Sequence, residues 1–292
     1  MKIKNKENMY RLFRELSDVS GIAEMTVTCL NSFIESIRQL KCSREYCEKL
    51  YFELSETVRQ AQPHIVPLMH LLDMFEKEMD VKLKSEMTVE EVGRVAIASL
   101  QDKIAKFKNN MARVTQNGLN YIDDYDVIIV HSPSAVVTNI LVQAKEKMGK
   151  QFSVIILDHN PVRTRKTVQA LRDARIDHII APAHNLSHYI EGANKMFVGA
   201  LTITADRQIV APTGTAGTVS LCHVNGIPVH LFANSLHYSH RNALDQEIYR
   251  SKEDTRSANL DFSIITHSHD LISLDLIDHI ITEDGETMKK SA

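Results

Sequence analysis

A candidate anion-binding site lies in the stretch Val198 to Ala216, VGALTITADRQIVAPTGTA. An apolar run stops at Gly199, and Gly214 and Thr215 follow a second apolar run and open a predicted helix. The free N–H groups of a first helical turn and the helix dipole together favour a bound phosphate. A lone Gly-Thr pair is also common in a strand-loop-helix connection without a ligand. The rest of the chain must distinguish the two interpretations.

Histidine and cysteine could bind a metal, but their spacing does not favour it. The closest pairs are His237-x-x-His240 and His267-x-His269, and both fall in predicted loops. Cys42 and Cys47 have no second pair to complete a zinc site. We therefore predict hydrogen-bonded or solvated histidines, reduced thiols and no metal.

The periodicity of the apolar residues changes near residue 120. Before it, apolar residues recur at helical spacing, and Thr88 with Glu91 forms a predicted capping box at a helix start. After it, short β-branched runs alternate with helical segments, which is typical of βαβ units and a parallel sheet. We predict an α/β protein with an N-terminal helical bundle, residues 1–120, followed by a Rossmann-like parallel sheet domain, residues 121–292.

A parallel sheet would bring the ends of its strands to one edge, which is where ligands bind in such folds. Each of five predicted strands is followed by a polar or glycine-bearing segment: His131–Ser134, Asp158–Pro161, Pro182–Asn185, Gly199–Leu201 and Ala233–Ser235. The chain has neither a G-x-G-x-x-G nor a G-x-x-x-x-G-K-[ST] motif. We therefore predict no dinucleotide cofactor and no P-loop nucleotide site.

Composition limits the partners. The formal net charge of -3 gives no global basic field, so we expect no direct contact with nucleic acid. No uninterrupted apolar segment approaches the ~20 residues that a membrane span needs. The basic N-terminus has no hydrophobic signal core. These features indicate a cytoplasmic protein without a membrane partner.

The order of the strand-end segments resembles the translation initiation factor 2B alpha/beta/delta family, which also contains methylthioribose-1-phosphate isomerase and ribose-1,5-bisphosphate isomerase. VGALTITADRQIVAPTGT matches the family pattern GAD-x-I-x-x-NG-x-V-x-NK-x-GT without a gap. VIIVHSPSAVV is similar to the family's first strand and turn, VIILDHNPVRTRKTVQAL to its ESRP segment, and FSIITHSHDLISLDLIDHIITEDG to its tail D-x-T-P-x-x-x-I-x-x-x-x-T-E-x-G. The resemblance implies a helical N-terminal part, a Rossmann-like C-terminal part and a homo-oligomer, at least a dimer.

Departures from the family pattern affect the predicted function. The resemblance implies that the family's isomerases move a proton with a cysteine and an aspartate, and these positions are Ser132 and Leu201 here. Serine needs a partner base to act as a comparable acid, and leucine cannot move a proton. We therefore predict no catalytic residues and a non-catalytic regulatory protein like the initiation factor 2B subunits, with a translation-factor partner.

The resemblance leaves a phosphorylated small molecule as the expected ligand at the sheet edge. The predicted ligand-binding residues are His131, Ser132, Ser134, Arg163, Arg165, Gly214 and Thr215. Asn160 stands where the family has an arginine, so Arg163 or Arg165 would supply the charge, although a solvated first helical turn explains these cations equally well. The alternative function is an aldose-ketose isomerase of a sugar phosphate with altered catalytic residues, whose candidates are His131, Ser132, Asp158, His159 and His184.

Overall fold

The structure is a computed structural model, and it describes most of the chain. The described residues are 3–39, 49, 52–53, 55–56, 59, 65–82, 87–132, 134–158, 161–245, 250–257 and 260–287. Cys42, Cys47 and His159 lie outside them, and so does the side chain of Arg163.

The chain divides into two compact units, Met1–Ala112 and Arg113–Ala292. The described helices of the chain are α1 (Ile3–Gln39), α2 (Val66–Lys82), α3 (Val89–Gly118), α4 (Ala135–Met148), α5 (Pro161–Asp173) and α6 (Thr215–Val224). Helix α1 is kinked at Gly21, whose φ is 75°. No helix in the described part of the chain combines the length and the apolar character that crossing a membrane requires.

The first unit is helical, and its core lies between amphipathic helices. Phe33 of α1 packs edge-on against Phe75 of α2, with ring centroids 5.4 Å apart. The predicted capping box at the start of α3 is confirmed, because the Thr88 amide donates to the Glu91 carboxylate at 2.8 Å and the Glu91 amide donates to the Thr88 hydroxyl at 3.3 Å. The capping box satisfies two amides that would otherwise lack a partner at the start of the helix.

The second unit is built on a mostly parallel sheet, as the sequence predicts. The described strands are β1 (Val127–His131), β2 (Ser153–Asp158), β3 (Asp177–Pro182), β4 (Lys195–Gly199), β5 (Thr202–Ile203), β6 (Gln208–Pro212), β7 (Val229–Phe232), β8 (Arg250–Ser257), β9 (Leu260–His267), β10 (His269–Ser273), β11 (His279–Thr282) and β12 (Gly285–Thr287). Within the described residues, seven strands form one sheet in the order β12-β11-β7-β4-β1-β2-β3. All neighbouring pairs in it are parallel except β11 with β12.

Three local features differ from the sequence-based prediction. The alternation of apolar runs and helical segments predicts one strand over KMFVGALTI, but the chain leaves the large sheet after Gly199 and β5 pairs instead with β6. The same alternation predicts a helix over NLSHYIEGA, but this segment lies in two short 3-10 helices, Ala183–His188 and Ile190–Gly192. Strands β8 and β9 form a separate antiparallel hairpin that the sequence pattern does not indicate.

The core of the second unit lies against the central strands, which are buried on both faces. The segment Leu271 to Ile281 contributes to it through Ile272, Leu274 and Ile277, each at most 6% exposed. This apolar segment is therefore a core element.

Candidate functional site at the carboxyl edge of the sheet

The carboxyl ends of β7, β4, β1 and β2 lie side by side in the sheet. Their neighbouring positions are fixed by the register, in which His131 pairs with Leu157 and Gly199 pairs with Phe232. The strands therefore bring Ser132, Asp158 and Gly199 to the same edge. This is the arrangement in which open parallel sheets bind ligands.

His131 connects the end of β1 with the start of α6. Its Nδ1 lies 2.9 Å from the Thr215 hydroxyl oxygen, and both residues are buried. The Thr215 hydroxyl donates its single proton to the Pro212 carbonyl at 2.5 Å. The hydroxyl oxygen therefore accepts from His131, which assigns the proton of a neutral ring to Nδ1. The structure thus brings together two residues that are 84 positions apart in the sequence.

Gly214 is required at the turn before α6 for two reasons. Its φ is 93°, a left-handed conformation that side-chain-bearing residues rarely adopt. A Cβ at this position would also lie only 3.1 Å from Nε2 of the buried His131. The glycine therefore serves the backbone turn and the packing of the histidine ring, independently of any ligand.

The start of α6 is already capped by a carboxylate of the same chain. Oδ2 of Asp270, in β10, accepts hydrogen bonds from the Gly214 amide at 2.8 Å and from the Ala216 amide at 2.9 Å. A carboxylate is the charge that a helix N-terminus favours. Ligand binding at Gly214 and Thr215 stays a prediction. A phosphate that accepted hydrogen bonds from the Gly214 and Ala216 amides would have to displace the Asp270 carboxylate.

Ser132 has strained backbone and an unusual side-chain environment. Its φ is 44°, in the left-handed region that costs a residue with a Cβ about 1 kcal/mol or more. Its Oγ is buried and forms no hydrogen bond with any described residue. Such strain and an unpaired polar atom together are typical of functional positions.

Ser134 has a structural role that the sequence prediction does not include. It is the N-cap of α4, and its Oγ accepts from the Val137 amide at 3.3 Å. A Cβ on Gly199 would lie 2.7 Å from the Ser134 Oγ. Gly199 therefore allows β4 to approach the start of α4 closely.

The predicted cationic residues lie on α5. Arg163 belongs to the helix, but its side chain is outside the described residues. Arg165 is exposed, and the described contacts of His131, Ser132 and Thr215 do not include it. The charge that a phosphate would need is thus not placed at the edge by any described contact.

The remaining predicted residues are spread along the same edge. Asp158 accepts a hydrogen bond from the Thr164 hydroxyl at 2.6 Å, which joins the end of β2 to the start of α5. His184 is exposed in the 3-10 helix that follows β3. Leu201 is partly buried, and its amide donates to the Val210 carbonyl at 2.9 Å. The structure therefore does not join these residues to His131 by a described hydrogen bond.

Asn234 and His237, after β7, are edge residues that are absent from the predicted site. Asn234 is fully buried, and its Oδ1 accepts from the Leu236 amide at 3.1 Å and lies 2.8 Å from His237 Nδ1. Because the Leu236 N–H needs an acceptor, the orientation of the amide group is fixed and Nδ1 of His237 carries the proton. Burial lowers the pKa of His237 to about 4, so the ring is neutral near pH 7. The sequence signal was the segment Ala233–Ser235 after the strand, whose polar residues are Asn234 and Ser235.

The Nδ2 group of Asn234 is buried and forms no hydrogen bond with a described residue. The neighbouring Ser235 is held by Glu283, which accepts from the Ser235 amide at 2.8 Å and from its hydroxyl at 2.5 Å.

Within the described residues, no group of three or more His, Cys, Asp or Glu side chains could hold a metal ion.

Comparison with known proteins places the chain in a family. The model of the Initiation factor 2 subunit family matches residues 18–289. The chain therefore belongs to this family, as the motif resemblance predicts.

Named relatives include both translation factors and enzymes. The chain is 24% identical over 227 residues to translation initiation factor eIF2B subunit delta of Dictyostelium discoideum, an alignment that covers 70% of this chain and 36% of that protein. It is 23% identical over 278 residues to ribose 1,5-bisphosphate isomerase of Archaeoglobus fulgidus, covering 93% of this chain and 85% of that protein.

A solved structure supports the fold. The crystal structure of the Pyrococcus horikoshii OT3 translation initiation factor eIF-2B superposes with a TM-score of 0.80 at 22% sequence identity, covering 97% of this chain and 98% of that one. At this level of identity the likeness concerns the fold, which many functions share. Function must therefore be argued from the site.

Proposed function

We propose that this chain is a non-catalytic, initiation-factor-2B-like regulatory protein that binds a phosphorylated small molecule at the carboxyl edge of its sheet. One observation carries the proposal. Leu201 occupies the position at which the resemblance implies the isomerases' catalytic aspartate, and its side chain has no group that can exchange a proton. The edge is therefore suited to binding without proton transfer.

The geometry around Ser132 supports the same conclusion. A serine hydroxyl needs an adjacent base to become a proton donor or nucleophile near neutral pH. The neighbouring His131 has its Nδ1 hydrogen-bonded to Thr215, and no described hydrogen bond joins its ring to Ser132. The residue types of the family's acid–base pair are thus absent at both positions.

Assembly with other chains is part of the proposal. A relative is named as a subunit, and β3 is an edge strand that exposes Ile179 and Ile180. Exposed apolar side chains on an unpaired strand edge are suited to contact with another chain. Sedimentation at micromolar concentration should give at least a dimer mass, and a monomer mass would contradict this part.

The alternative, an aldose-ketose isomerase with altered catalytic residues, is favoured by one observation. The strained Ser132 with its unpaired hydroxyl is what an active site would also show. Incubation with ribose 1,5-bisphosphate and methylthioribose 1-phosphate, read for aldose-to-ketose conversion, separates the two functions. Binding without conversion supports the regulatory function, and conversion supports the enzyme.

A further inference from the structure

The outer side of β3 is the longer of the two open edges of the seven-stranded sheet. Within the described residues, β3 pairs with β2 alone, whereas β12, at the opposite end of the sheet, has only three residues. The register of β3 against β2 runs from Asp177 to Pro182 without a bulge. Proteins commonly blunt an open edge with a short strand, a bulge or a lysine, and β3 has none of these. Its edge is therefore open to a further strand.

Both faces of the sheet expose apolar side chains at this edge. Ile179 is 44% exposed and Ile180 is 51% exposed. Consecutive residues of a strand point to opposite faces of a sheet, so neither face is fully covered beside β3. A strand added at this edge would remove apolar surface from water on both faces, and such burial stabilises an interface.

The helix beside this edge is basic, although the whole chain has a formal net charge of -3. Helix α5 connects β2 to β3 and packs against both strands. Residues 161–175 contain one carboxylate, Asp173, and five cationic residues. The cationic residues are Arg163, Arg165, Lys166, Arg172 and Arg175. Arg172 and Arg175, which lie between the last turn of α5 and the start of β3, are exposed. The open edge thus has a positively charged flank.

The hydrogen-bonding edge and its charge together favour an acidic polypeptide as the partner. A polypeptide strand carries N–H and C=O groups at the spacing that the edge of β3 offers. A second copy of this chain is less suited, because antiparallel pairing of two β3 strands about a twofold axis places both α5 helices on the same face of the joined sheet. Their positive segments would then lie side by side, and like charges oppose association.

We propose that the outer edge of β3 binds an extended acidic segment of a partner protein, which adds to the sheet as an eighth strand. Main-chain hydrogen bonds to β3 supply affinity, and side chains of the added segment cover the exposed isoleucines. The carboxylates of the segment face α5. This inference rests on the assembly part of the proposed function and specifies the chemistry of the partner.

Fluorescence anisotropy with a labelled peptide of alternating glutamate and valine tests this surface. In a strand, such a peptide carries carboxylates on one face and apolar side chains on the other. It should bind the full-length wild type, and its affinity should fall with added salt because the charges are screened. A peptide of alternating lysine and valine should not bind, since its charge matches that of α5.

Two substitutions separate the apolar and the electrostatic contributions. Ile180→Ala should weaken binding of the glutamate–valine peptide about tenfold, because it removes apolar contact area. Arg172→Glu should also weaken it about tenfold, because it reverses a charge beside the edge and lies at an exposed position where the fold tolerates it. The matched controls are Val81→Ala on α2 and Lys108→Glu on α3, both at exposed positions, and neither should change binding.

Hydrogen exchange of the β3 amides distinguishes strand addition from charge attraction alone. The amides of β3 that face away from β2 should exchange more slowly when the glutamate–valine peptide is bound. If the peptide binds without this protection, strand addition at β3 is wrong. It is also wrong if Ile180→Ala and Arg172→Glu both bind the peptide as tightly as the two controls do.

Sedimentation of the wild type and of Ile180→Ala separates this inference from the proposed assembly. If the peptide does not bind but the wild type has at least a dimer mass, the acidic partner is wrong and the proposed assembly survives. A dimer that becomes a monomer in Ile180→Ala would show that a second copy occupies the edge, which also overturns the inference. A monomeric wild type that does not bind the peptide overturns both.

Discussion

Replacing Asp270 with alanine should destabilise the second unit and create an anion site. Asp270 is a partly buried carboxylate that accepts two amide hydrogen bonds at the start of α6, at 2.8 and 2.9 Å. A single helix cap is worth about 1 kcal/mol, and two charge-assisted hydrogen bonds are worth about 3 kcal/mol. We expect a loss of about 2 kcal/mol in the free energy of unfolding, measured by urea denaturation.

The stabilisation of each variant by added sulfate shows whether the Asp270 side chain caps α6. In Asp270→Ala the Gly214 and Ala216 amides lose their acceptor, and sulfate or phosphate can then occupy the helix start. Added sulfate should therefore stabilise this variant more than it stabilises the wild type. Asp270→Asn retains an oxygen acceptor but loses the charge, so it should lose only about 1 kcal/mol.

Asp275→Ala is the matched control. The Asp275 carboxylate lies five residues after Asp270, is 78% exposed and pairs with Arg207 at 3.3 Å. Its removal should therefore lower the free energy of unfolding by less than about 0.5 kcal/mol. If Asp270→Ala is as stable as this control, Asp270 does not stabilise the start of α6. The same conclusion follows if the two variants respond identically to sulfate.

Two further predictions concern pH and the glycine turn. Burial lowers the pKa of His230 and of His237 to about 4, from 6.5, and His279 contributes to the shift of His230. Between pH 6.5 and pH 4 the unfolded chain therefore binds more protons than the folded chain. The free energy of unfolding should fall by about 2 kcal/mol per ring from pH 7 to pH 5. His230→Gln should reduce this pH dependence in urea titrations. Gly214→Ala should lower the free energy of unfolding by about 2 kcal/mol, because its φ is 93° and the His131 ring is close. The control Gly226→Ala, with a φ of 69° and open space around the new methyl group, should lower it by about 1 kcal/mol. Equal losses would show that packing against the ring is unimportant.

Much of the fold could be predicted because local patterns agree with the final packing. β1 and β4 are continuous apolar runs in the sequence, and the structure buries them on both faces of a parallel sheet. The capping box at Thr88 is likewise a local signal with a local partner. His131 and Thr215 lie 2.9 Å apart, but β6, which precedes Thr215, belongs to the three-stranded sheet, so the order of the parallel strands alone does not specify this contact.

The parts that could not be predicted depend on distant partners. Asp270 caps a helix that begins 55 positions earlier, and only the tail resemblance marked it. The strain at Ser132 and the fixed amide of Asn234 depend on backbone angles and tertiary contacts that residue types do not specify. The β8–β9 hairpin lacks a clear apolar alternation on β8, RSKEDTRS, so periodicity could not indicate it.

Following ribose 1,5-bisphosphate by NMR in the presence of the wild type would show whether the carboxyl edge of the sheet carries out proton transfer. We predict no conversion to the ketose beyond the enzyme-free control. The double variant Ser132→Cys with Leu201→Asp should also give little turnover, because positions that would hold and orient the substrate differ as well, and misplacement by about an ångström can cost about 100-fold. Ketose formation by the wild type at a rate well above the control would contradict the account.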